Sequence, residues 1–257
     1  MKKAIAILLA LTLVLAASVL AEEDSLLGQT APDFTVATLD GDVSLSALLA
    51  QKELVVLNIF TSWCPPCRVE FPEMQRVYER LSDRMEIVAV SHEPADSTEV
   101  LAQYRDQLGL TFPIGHISGT GIDAFVDIQG YPTTLFINRE GVVAFFQLGA
   151  FTSAADFEAV AAYLLSEAYD GGTAALYCAY VLDQNGDPVP GVWLNFCTDT
   201  FCQPCVSDEN GFIAFASAPD AYHVQILKAP EGYSFDADFD GATPAASCRF
   251  GIQVTKK

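Results

Sequence analysis

The stretch Leu54–Cys67, which reads LVVLNIFTSWCPPC, decides the fold of the chain around it. Its first seven residues form an almost entirely apolar run of strand length, which is typical of a central strand buried on both faces. Cys64 and Cys67 follow at the i and i+3 positions, and the helix-like segment 68–81 comes directly after them. Free backbone N–H groups at a helix N-terminus favour thiolate over thiol, and the thiolate is the species that attacks disulfides.

This order of strand, aromatic residue, C-x-x-C and helix indicates a redox centre. Two cysteines at this spacing can close a small disulfide. The alternatives are a structural disulfide or half of a zinc site, and a bare C-x-x-C would not separate them from a redox pair. The strand before the motif and the helix after it favour the redox interpretation.

Strand-like and helix-like segments alternate on both sides of the motif. Asp40-Gly41 between two β-prone runs predicts a hairpin. The other predicted elements are a helical turn at 46–51, a strand at 85–91, a helix at 97–108, an extended piece at 110–114, a helical turn at 122–126, a hairpin of 133–138 with 142–146, and an Ala-rich helix at 152–168. Such alternation predicts an α/β domain with a mostly parallel sheet.

The chain of 257 residues is long enough for two domains, each with its own core. Residues 1–21 begin Met-Lys-Lys, continue with an apolar run from Ala4 to Leu20, and end at Ala21 before an acidic segment. This pattern predicts a signal peptide that is cleaved after Ala21, and therefore an exported, extracytoplasmic protein. A retained membrane anchor is the alternative.

The formal net charge of −20 restricts the classes of partner. An acidic field of this size repels phosphate backbones and anionic lipid surfaces, so it argues against nucleic-acid binding and peripheral membrane docking. The seven cysteines suggest an oxidising or mixed redox compartment for an exported chain. Their odd number leaves at least one of them without an intramolecular partner.

Four motifs carry a resemblance to a known family: Gly28-x-x-Ala31-Pro32-Asp33-Phe34, Trp63-Cys64-Pro65-Pro66-Cys67, Glu70-Phe71-Pro72 and Gly130-Tyr131-Pro132-Thr133-Thr134. Over roughly residues 25–168 the chain resembles the TlpA and ResA group, the thioredoxin-like thiol-disulfide oxidoreductases of the bacterial envelope. The resemblance implies an α/β thioredoxin-like fold over residues 22–169, with a central mixed sheet flanked by helices. It also implies an active site in which the C-x-x-C faces the proline of the last motif.

The two cysteines of the motif have different predicted roles. Cys64, at the helix start and more exposed, is the predicted nucleophile, and Cys67, one turn deeper, is the predicted resolving thiol. Glu70 follows one turn later, so its carboxylate can project back toward the sulfurs. The resemblance implies that it is an active-site acid or base, and an ordinary glutamate of the first helical turn is the alternative. Asn58 stands where thioredoxins carry a buried Asp, which leaves proton handling to Glu70 or water.

A substrate-binding surface is expected from Trp63, Pro65, Pro66, Tyr131 and Pro132. The resemblance implies a cis peptide bond before Pro132, whose backbone pairs with bound substrate. It also implies protein disulfides as substrates and a membrane electron donor of the CcdA or DsbD type. No cofactor other than the redox-active Cys64–Cys67 disulfide is expected.

The sequence pattern changes after residue 169. Asp170-Gly171-Gly172 predicts a flexible linker at 170–172. Candidate strands with a period of two follow within residues 173–257, at 174–182, 191–197, 212–216, 222–227 and 249–255. Short strands separated by turn signals predict an all-β sandwich. Its motifs, such as Val181-x-Asp183-x-x-Gly186-x-Pro188, resemble the prealbumin-like sandwiches of the Cna-B or carboxypeptidase-regulatory type, which act as spacers or binding modules.

The second half holds the candidates for structural disulfides, which are Cys178, Cys197, Cys202, Cys205 and Cys248. Their connectivity does not follow from the sequence, and Cys197 with Cys202 is the favoured pair. A zinc site at Cys197, Cys202 and Cys205 is one alternative, and electron exchange between Cys202-x-x-Cys205 and the first C-x-x-C is another.

The acidic turn 236–241 imitates the first half of a calcium loop. Ser247 stands at the twelfth position, where such a loop needs a bidentate Glu. No metal site is therefore predicted in this chain.

These observations together predict an extracytoplasmic thiol-disulfide oxidoreductase that reduces protein disulfides. The same motif also suits a dithiol oxidase or isomerase, because sequence does not set a redox potential. A non-catalytic surface binding or scaffold protein is the alternative from another class. A peroxidase is disfavoured because Leu57 stands where the peroxiredoxin loop carries proline, and a Cys–His hydrolase is disfavoured because His92, His116 and His223 are scattered.

Overall fold

The computed structural model describes residues 26–236, 241–242 and 250–256. In the first half of the chain the strands are β1 (Thr35–Thr38), β2 (Gly41–Ser44), β3 (Leu54–Phe60), β4 (Met85–Ser91), β5 (Ile114–His116), β6 (Thr133–Asn138) and β7 (Val143–Leu148). The helices are α1 (Leu45–Leu49), α2 (Pro65–Leu81), α3 (Thr98–Leu108), α4 (Ile122–Phe125) and α5 (Ala154–Leu164). The predicted elements of this half are present with two differences in their bounds: α5 ends at Leu164 rather than at residue 168, and β5 shares only Ile114 with the predicted extended piece at 110–114.

These strands form one seven-stranded sheet in the order β2-β1-β5-β4-β3-β6-β7. Strands β3, β4 and β5 run parallel, whereas β6 pairs with β3 in the antiparallel direction. The sheet is therefore mixed, and β3 is an interior strand. The prediction of a mostly parallel sheet is wrong, because β1, β2, β6 and β7 all pair in the antiparallel direction. The carboxyl end of β3 lies beside the start of β6, since Ile59 pairs with Thr133.

Every residue of β3 is buried, because helices cover both faces of the sheet. Alternate residues from Leu54 to Phe60 face a core that they share with α2, α3 and α5. The residues between them face a second core that includes side chains of α1 and α4. This alternation follows from the period of two in a strand. It also places Asn58, the one polar side chain of β3, on the side of α2, and it confirms a central mixed sheet flanked by helices.

From residue 175 onward the described parts of the chain contain strands and connecting segments only. The strands are β8 (Ala175–Leu182), β9 (Trp193–Cys197), β10 (Cys202–Val206), β11 (Phe212–Ser217), β12 (His223–Lys228), β13 (Tyr233–Ser234), β14 (Gly241–Ala242), β15 (Phe250–Gln253) and β16 (Thr255–Lys256). One sheet has the order β10-β9-β12-β14, a second has the order β11-β8-β15, and β13 pairs with β16. Side chains of the two larger sheets enclose a common core that contains Tyr177, Phe196 and Val224. This part is therefore β-rich as expected, while its boundaries at 173–257 and its prealbumin-like identity stay predictions.

Strand β10 is absent from the strands that the sequence predicts. Its sequence, CQPCV, carries a proline at position 204, which removes a backbone donor. Proline is tolerated in a strand that lies at the edge of a sheet, because one side of that strand makes no ladder hydrogen bonds. The position of β10 at the end of its sheet explains why a strand forms here.

The two halves of the chain pack directly against each other. Leu176, Cys178 and Phe212 belong to the same hydrophobic core as the buried face of α5. The Ala174 N–H donates to the carbonyl of Ala144 at 2.7 Å, on the edge of the first sheet. The predicted linker 170–172 is therefore flanked by contacts that join the two halves.

The signal peptide at 1–21 and Cys248 lie outside the described residues, as do residues 237–240 and Ser247 of the acidic turn. Within residues 26–236, 241–242 and 250–256, no helix combines the length and the apolar composition that crossing a bilayer requires.

Candidate active site

Cys64 and Cys67 form a disulfide at the N-terminus of α2. Cys64 is the N-cap residue, and its sulfur accepts a hydrogen bond from the Cys67 N–H at 3.2 Å. Pro65 and Pro66 occupy the first two helical positions, where a missing N–H removes no intrahelical bond. The first free donor of the helix is thus the N–H of Cys67. Together with the helix dipole, it favours a thiolate at Cys64 once the disulfide is reduced.

The disulfide is closed off from solvent on most sides. Cys64 is 2% exposed and Cys67 is 0% exposed, so the expected difference in exposure between the two sulfurs is small in this oxidised state. The neighbouring Trp63, Pro65 and Pro66 are exposed. An approaching molecule therefore meets these three ring side chains before it meets sulfur.

Tyr131 joins Trp63 in an aromatic rim beside the disulfide. The two rings meet edge to face with their centroids 5.9 Å apart. The indole N–H of Trp63 donates to Glu93 Oε2 at 2.7 Å, and the Tyr131 hydroxyl lies 2.5 Å from His92 Nδ1. The hydrogen bond from Trp63 contributes most to lowering the pKa of Glu93.

The peptide bond between Tyr131 and Pro132 is cis, as predicted. Pro132 immediately precedes β6, whose first residue, Thr133, pairs with Ile59 near the carboxyl end of β3. The redox turn leaves β3 at that same end. The sheet therefore brings the proline and the cysteines to one edge, although they are far apart in sequence.

Glu70 is fully buried on α2. Its Oε2 accepts a hydrogen bond from Asn58 Nδ2 and its Oε1 accepts one from the Phe151 N–H, both at 3.1 Å. Burial raises the pKa of Glu70 to about 8, against the opposing effect of these two bonds, and the charge of Asp156 adds to the rise. The carboxyl group is therefore mostly protonated at neutral pH. The alternative of an ordinary glutamate in the first helical turn does not fit, because Glu70 is buried and α2 has no acidic residue in its first turn, while the acid–base role stays a prediction.

The partners of Glu70 are themselves held in place. Asn58 Nδ2 also donates to Thr134 Oγ1 at 2.9 Å, and its Oδ1 is buried without a hydrogen-bond partner among the described residues. The Phe151 ring is buried between Phe136 and Phe157. The backbone N–H of Phe151, which donates to Glu70, is thus held in position by the packing of the segment before α5.

Sequence reasoning missed His92, Glu93, Thr134 and Phe151. His92 and Glu93 directly follow β4, which is the parallel neighbour of β3. Since the carboxyl ends of parallel strands meet at one edge of a sheet, the position of His92 and Glu93 after a predicted strand was an available signal. Phe151 carries no local signal, and the motif that contains Thr134 does not indicate its contact with Asn58, because only the tertiary fold brings these residues to Asn58 and Glu70.

Cys197, Cys202 and Cys205 lie in the β9–β10 hairpin, whereas Cys178 belongs to the same hydrophobic core as Cys64 and Cys67. Cys197 and Cys202 form a disulfide, which confirms the favoured pair. In β10, Cys202 faces solvent and Cys205 faces the sandwich core, where burial raises the pKa of the Cys205 thiol to about 11. Two residues three apart in a strand point to opposite faces, so Cys202 and Cys205 do not form an exchange pair in this strand.

Cys178 is buried in β8. Two of the three residues proposed for zinc are bonded to each other, which leaves them without thiolates to offer a metal in this state. Across the described ranges, no group of three or more His, Cys, Asp or Glu side chains is arranged to hold a metal ion.

Residues 27–146 match the family model described as the AhpC/TSA family. The chain is 37% identical over 126 residues to "Thioredoxin-like protein YneN" of Bacillus subtilis, which covers 49% of this chain and 73% of that protein. It is 32% identical over 127 residues to "Thiol-disulfide oxidoreductase ResA" of Halalkalibacterium halodurans, covering 49% of this chain and 70% of that protein.

A solved thioredoxin-family thiol:disulfide interchange protein from Chlorobium tepidum is 30% identical, with a TM-score of 0.45 and coverage of 54% of this chain and 97% of that one. The similarity to the YneN and ResA sequences spans more than two thirds of each relative and agrees with the mixed sheet and the C-x-x-C turn. On these grounds the chain belongs to the thioredoxin-like thiol-disulfide oxidoreductases related to YneN and ResA.

Proposed function

We propose that the protein is an extracytoplasmic reductase of protein disulfides that works by dithiol exchange through Cys64 and Cys67. One observation carries the proposal. The Cys64–Cys67 disulfide caps the helix that also holds a buried, mostly protonated Glu70 one turn further along.

In the proposed reaction, the reduced enzyme attacks with the Cys64 thiolate. Its sulfur bonds to one sulfur of the substrate disulfide, and the other substrate sulfur leaves as a thiolate. Cys67 then loses its proton and attacks Cys64, which closes the Cys64–Cys67 disulfide and releases the second substrate sulfur. Two electrons pass to the substrate, and each released thiolate takes up a proton.

Glu70 is the proposed acid and base for the Cys67 proton. A pKa of about 8 suits this task, because the carboxyl group then exchanges protons readily with a thiol near neutral pH. The Asn58 amide can hydrogen-bond to Glu70 in both of its protonation states. Its NH₂ group donates to the carboxylate in the observed arrangement, and a reversed amide would place the unpartnered Oδ1 where it accepts the O–H of the protonated acid.

The proposed substrate surface consists of Trp63, Pro65, Pro66, Tyr131 and the cis Pro132. Trp63 is 60% exposed, so its ring offers apolar area to an incoming peptide. Trp63→Ala should raise KM for a protein disulfide by roughly tenfold and leave kcat nearly unchanged, because this contact is present in the ground state and the transition state alike.

Steady-state reduction of insulin measures the effect of Trp63→Ala. The matched control is Trp193→Ala in the second half, since Trp193 is also well exposed, at 46%. Equal changes in KM for the two variants would show that Trp63 has no specific contact with substrate.

The proposed location and partners rest on other features. Residues 1–21 have the pattern of a signal peptide, and the Cys197–Cys202 disulfide suits an oxidising compartment. We place the electron donor in the membrane, as a protein of the CcdA or DsbD type. Amino-terminal sequencing of the protein from the cell envelope should start at Glu22, and an intact Met1 in the cytoplasmic fraction would contradict export.

The direction of electron flow is tested by the reduction potential of the Cys64–Cys67 couple, measured by equilibration with glutathione. A value close to that of thioredoxin, about −270 mV, is expected for a reductase. A value close to that of DsbA, about −120 mV, would instead support the oxidase. A pair that no dithiol reduces would support a scaffold protein, for which the low exposure of both sulfurs is the one favourable observation.

A further inference from the structure

The Cys197–Cys202 disulfide lies on a surface hairpin formed by β9 and β10. We propose that it is a second redox site, opened and closed reversibly by a thioredoxin-type dithiol, with the Cys64–Cys67 pair of a second copy of this chain as the donor. The inference rests on the proposed reductase activity.

Opening this disulfide leaves its hairpin in place. Cys197 and Cys202 are directly opposite each other, and the same two strands stay paired as far as Trp193 with Val206. The turn between them is also closed by the Thr198 N–H, which donates to the carbonyl of Phe201 at 2.7 Å. A cross-link that closes so short a loop removes little entropy from the unfolded chain. The disulfide therefore contributes less to the stability of the fold than a bridge that closes a long loop would.

The disulfide is accessible from the open edge of its sheet. Strand β10 is an edge strand, and the side chain of Cys202 is exposed. Thr198 and Phe201 form a hydrogen-bonded pair, so the next pair, Cys197 with Cys202, is not hydrogen-bonded across the hairpin. The backbone N–H and C=O of Cys202 therefore point to the open edge, where an extended backbone can pair with β10 beside the sulfur.

Exposed apolar side chains surround this edge. Phe201 is 55% exposed and Val206 is 42% exposed. They offer contacts for an apolar rim such as the one formed by Trp63 and Tyr131. Cys205 faces the core on the other side of β10, so its thiol does not form a disulfide with Cys202 when the surface disulfide opens.

The donor must belong to another copy, because a sheet lies between the hairpin and the first half of the same chain. Helix α5 packs on the sheet of β8 and β11, and the sheet of β9 and β10 lies on the far side of the sandwich core. One layer of sheet thus separates the hairpin from the first half of the same chain. Both copies are acidic, with a net charge of −20 each, so their encounter needs physiological ionic strength, at which the Debye length is about 8 Å.

The exchange balances in thiols and electrons. The Cys64 thiolate of the donor attacks the exposed Cys202 sulfur, and Cys197 leaves as a thiolate. Cys67 then attacks Cys64, which closes the donor disulfide and releases Cys202. The donor pair loses two electrons and two protons, and the acceptor pair gains them.

A trapping experiment on full-length chains tests this inference. The donor is reduced Cys67→Ser, which cannot complete the second step, and the acceptor is a tagged Cys64→Ser/Cys67→Ser chain with its surface disulfide intact. We expect a disulfide-linked heterodimer, with Cys64 joined to Cys202 or Cys197 by peptide mapping. Its yield should be at least about tenfold above that with an acceptor in which Cys197 and Cys202 are also replaced by serine.

Equal yields with both acceptors would overturn the inference, and so would a donor that traps insulin but not the intact acceptor. A donor that traps neither would overturn the proposed reductase function together with the inference.

A second measurement uses the wild-type chain alone. Protein reduced only at Cys64–Cys67 is left to equilibrate and then alkylated, and the appearance of free Cys197 and Cys202 is followed over time. The rate is expected to rise in proportion to protein concentration, whereas a rate independent of concentration, or no transfer, would overturn the donor assignment.

Discussion

Replacing Cys64 with serine should lower the rate of insulin disulfide reduction by roughly 10³-fold or more, because a serine hydroxyl does not ionise near neutral pH and cannot attack sulfur. Cys67→Ser should behave differently. It keeps the nucleophile that caps α2 but lacks the thiol that resolves the intermediate, so a mixed disulfide with substrate should accumulate. Insulin turbidity in the presence of dithiothreitol measures the first effect, and a non-reducing gel measures the second.

The matched control for Cys64 is Cys205→Ser. Cys205 is a half-buried thiol in β10, where it packs against the core of the β-rich second half, so its loss should leave the rate unchanged. If Cys67→Ser lost the attack step while Cys64→Ser kept it, the roles of the two cysteines would be reversed. Wild-type turnover no faster than that of Cys64→Ser would instead support the scaffold alternative.

Glu70→Gln should slow kcat by roughly 10²-fold and remove a pH dependence of the reaction. The base form of Glu70 accumulates as pH rises through about 8, so wild-type kcat should rise toward that pH and then level off. The amide introduced by Glu70→Gln does not titrate, so the pH profile of this variant should lack the inflection. The measurement is the pH dependence of kcat with a small disulfide substrate, for which binding to the aromatic rim contributes little.

The same substitution should change how stability depends on pH. The pKa of Glu70 is raised in the folded state from an ordinary value of 4.5 to about 8, so the folded protein holds this proton more tightly than the unfolded chain does. The resulting stabilisation is complete below about pH 4.5 and is lost as pH rises through about 8. Since each unit of pKa difference corresponds to about 1.4 kcal/mol, the loss is on the order of several kcal/mol.

Urea unfolding of the oxidised protein at about pH 5, 7 and 9 measures this trend. Glu70→Gln should remove most of the decline between the lowest and the highest pH. Glu79→Gln is the control, because Glu79 lies on the same helix but is exposed. A wild-type stability that does not fall with pH would show that Glu70 is not a buried acid.

Much of the fold could be predicted because its signals are local. The run Leu54–Phe60 is apolar at every position but one, as a strand covered on both faces requires. Ser97 and Ser153 each accept a hydrogen bond from a backbone N–H in the first turn of their helix, as N-caps do. Strand β10 shows where such reasoning stops: a proline and two cysteines have no strand signal, and only the edge position allows the strand.

By itself the sequence determined that Cys64 and Cys67 close a disulfide at the start of a helix. The spacing of Cys64 and Cys67 and the start of a helix between them depend on neighbours a few residues away, so they can be read along the chain. Only the tertiary structure decided the protonation state of Glu70, which lies on the same helix. Glu70 accepts hydrogen bonds from Asn58, which is 12 residues away in sequence, and from Phe151, which is 81 residues away. Burial among these packed elements raises the pKa of Glu70. Desolvation depends on which surfaces meet in three dimensions, and no local pattern of residues specifies it.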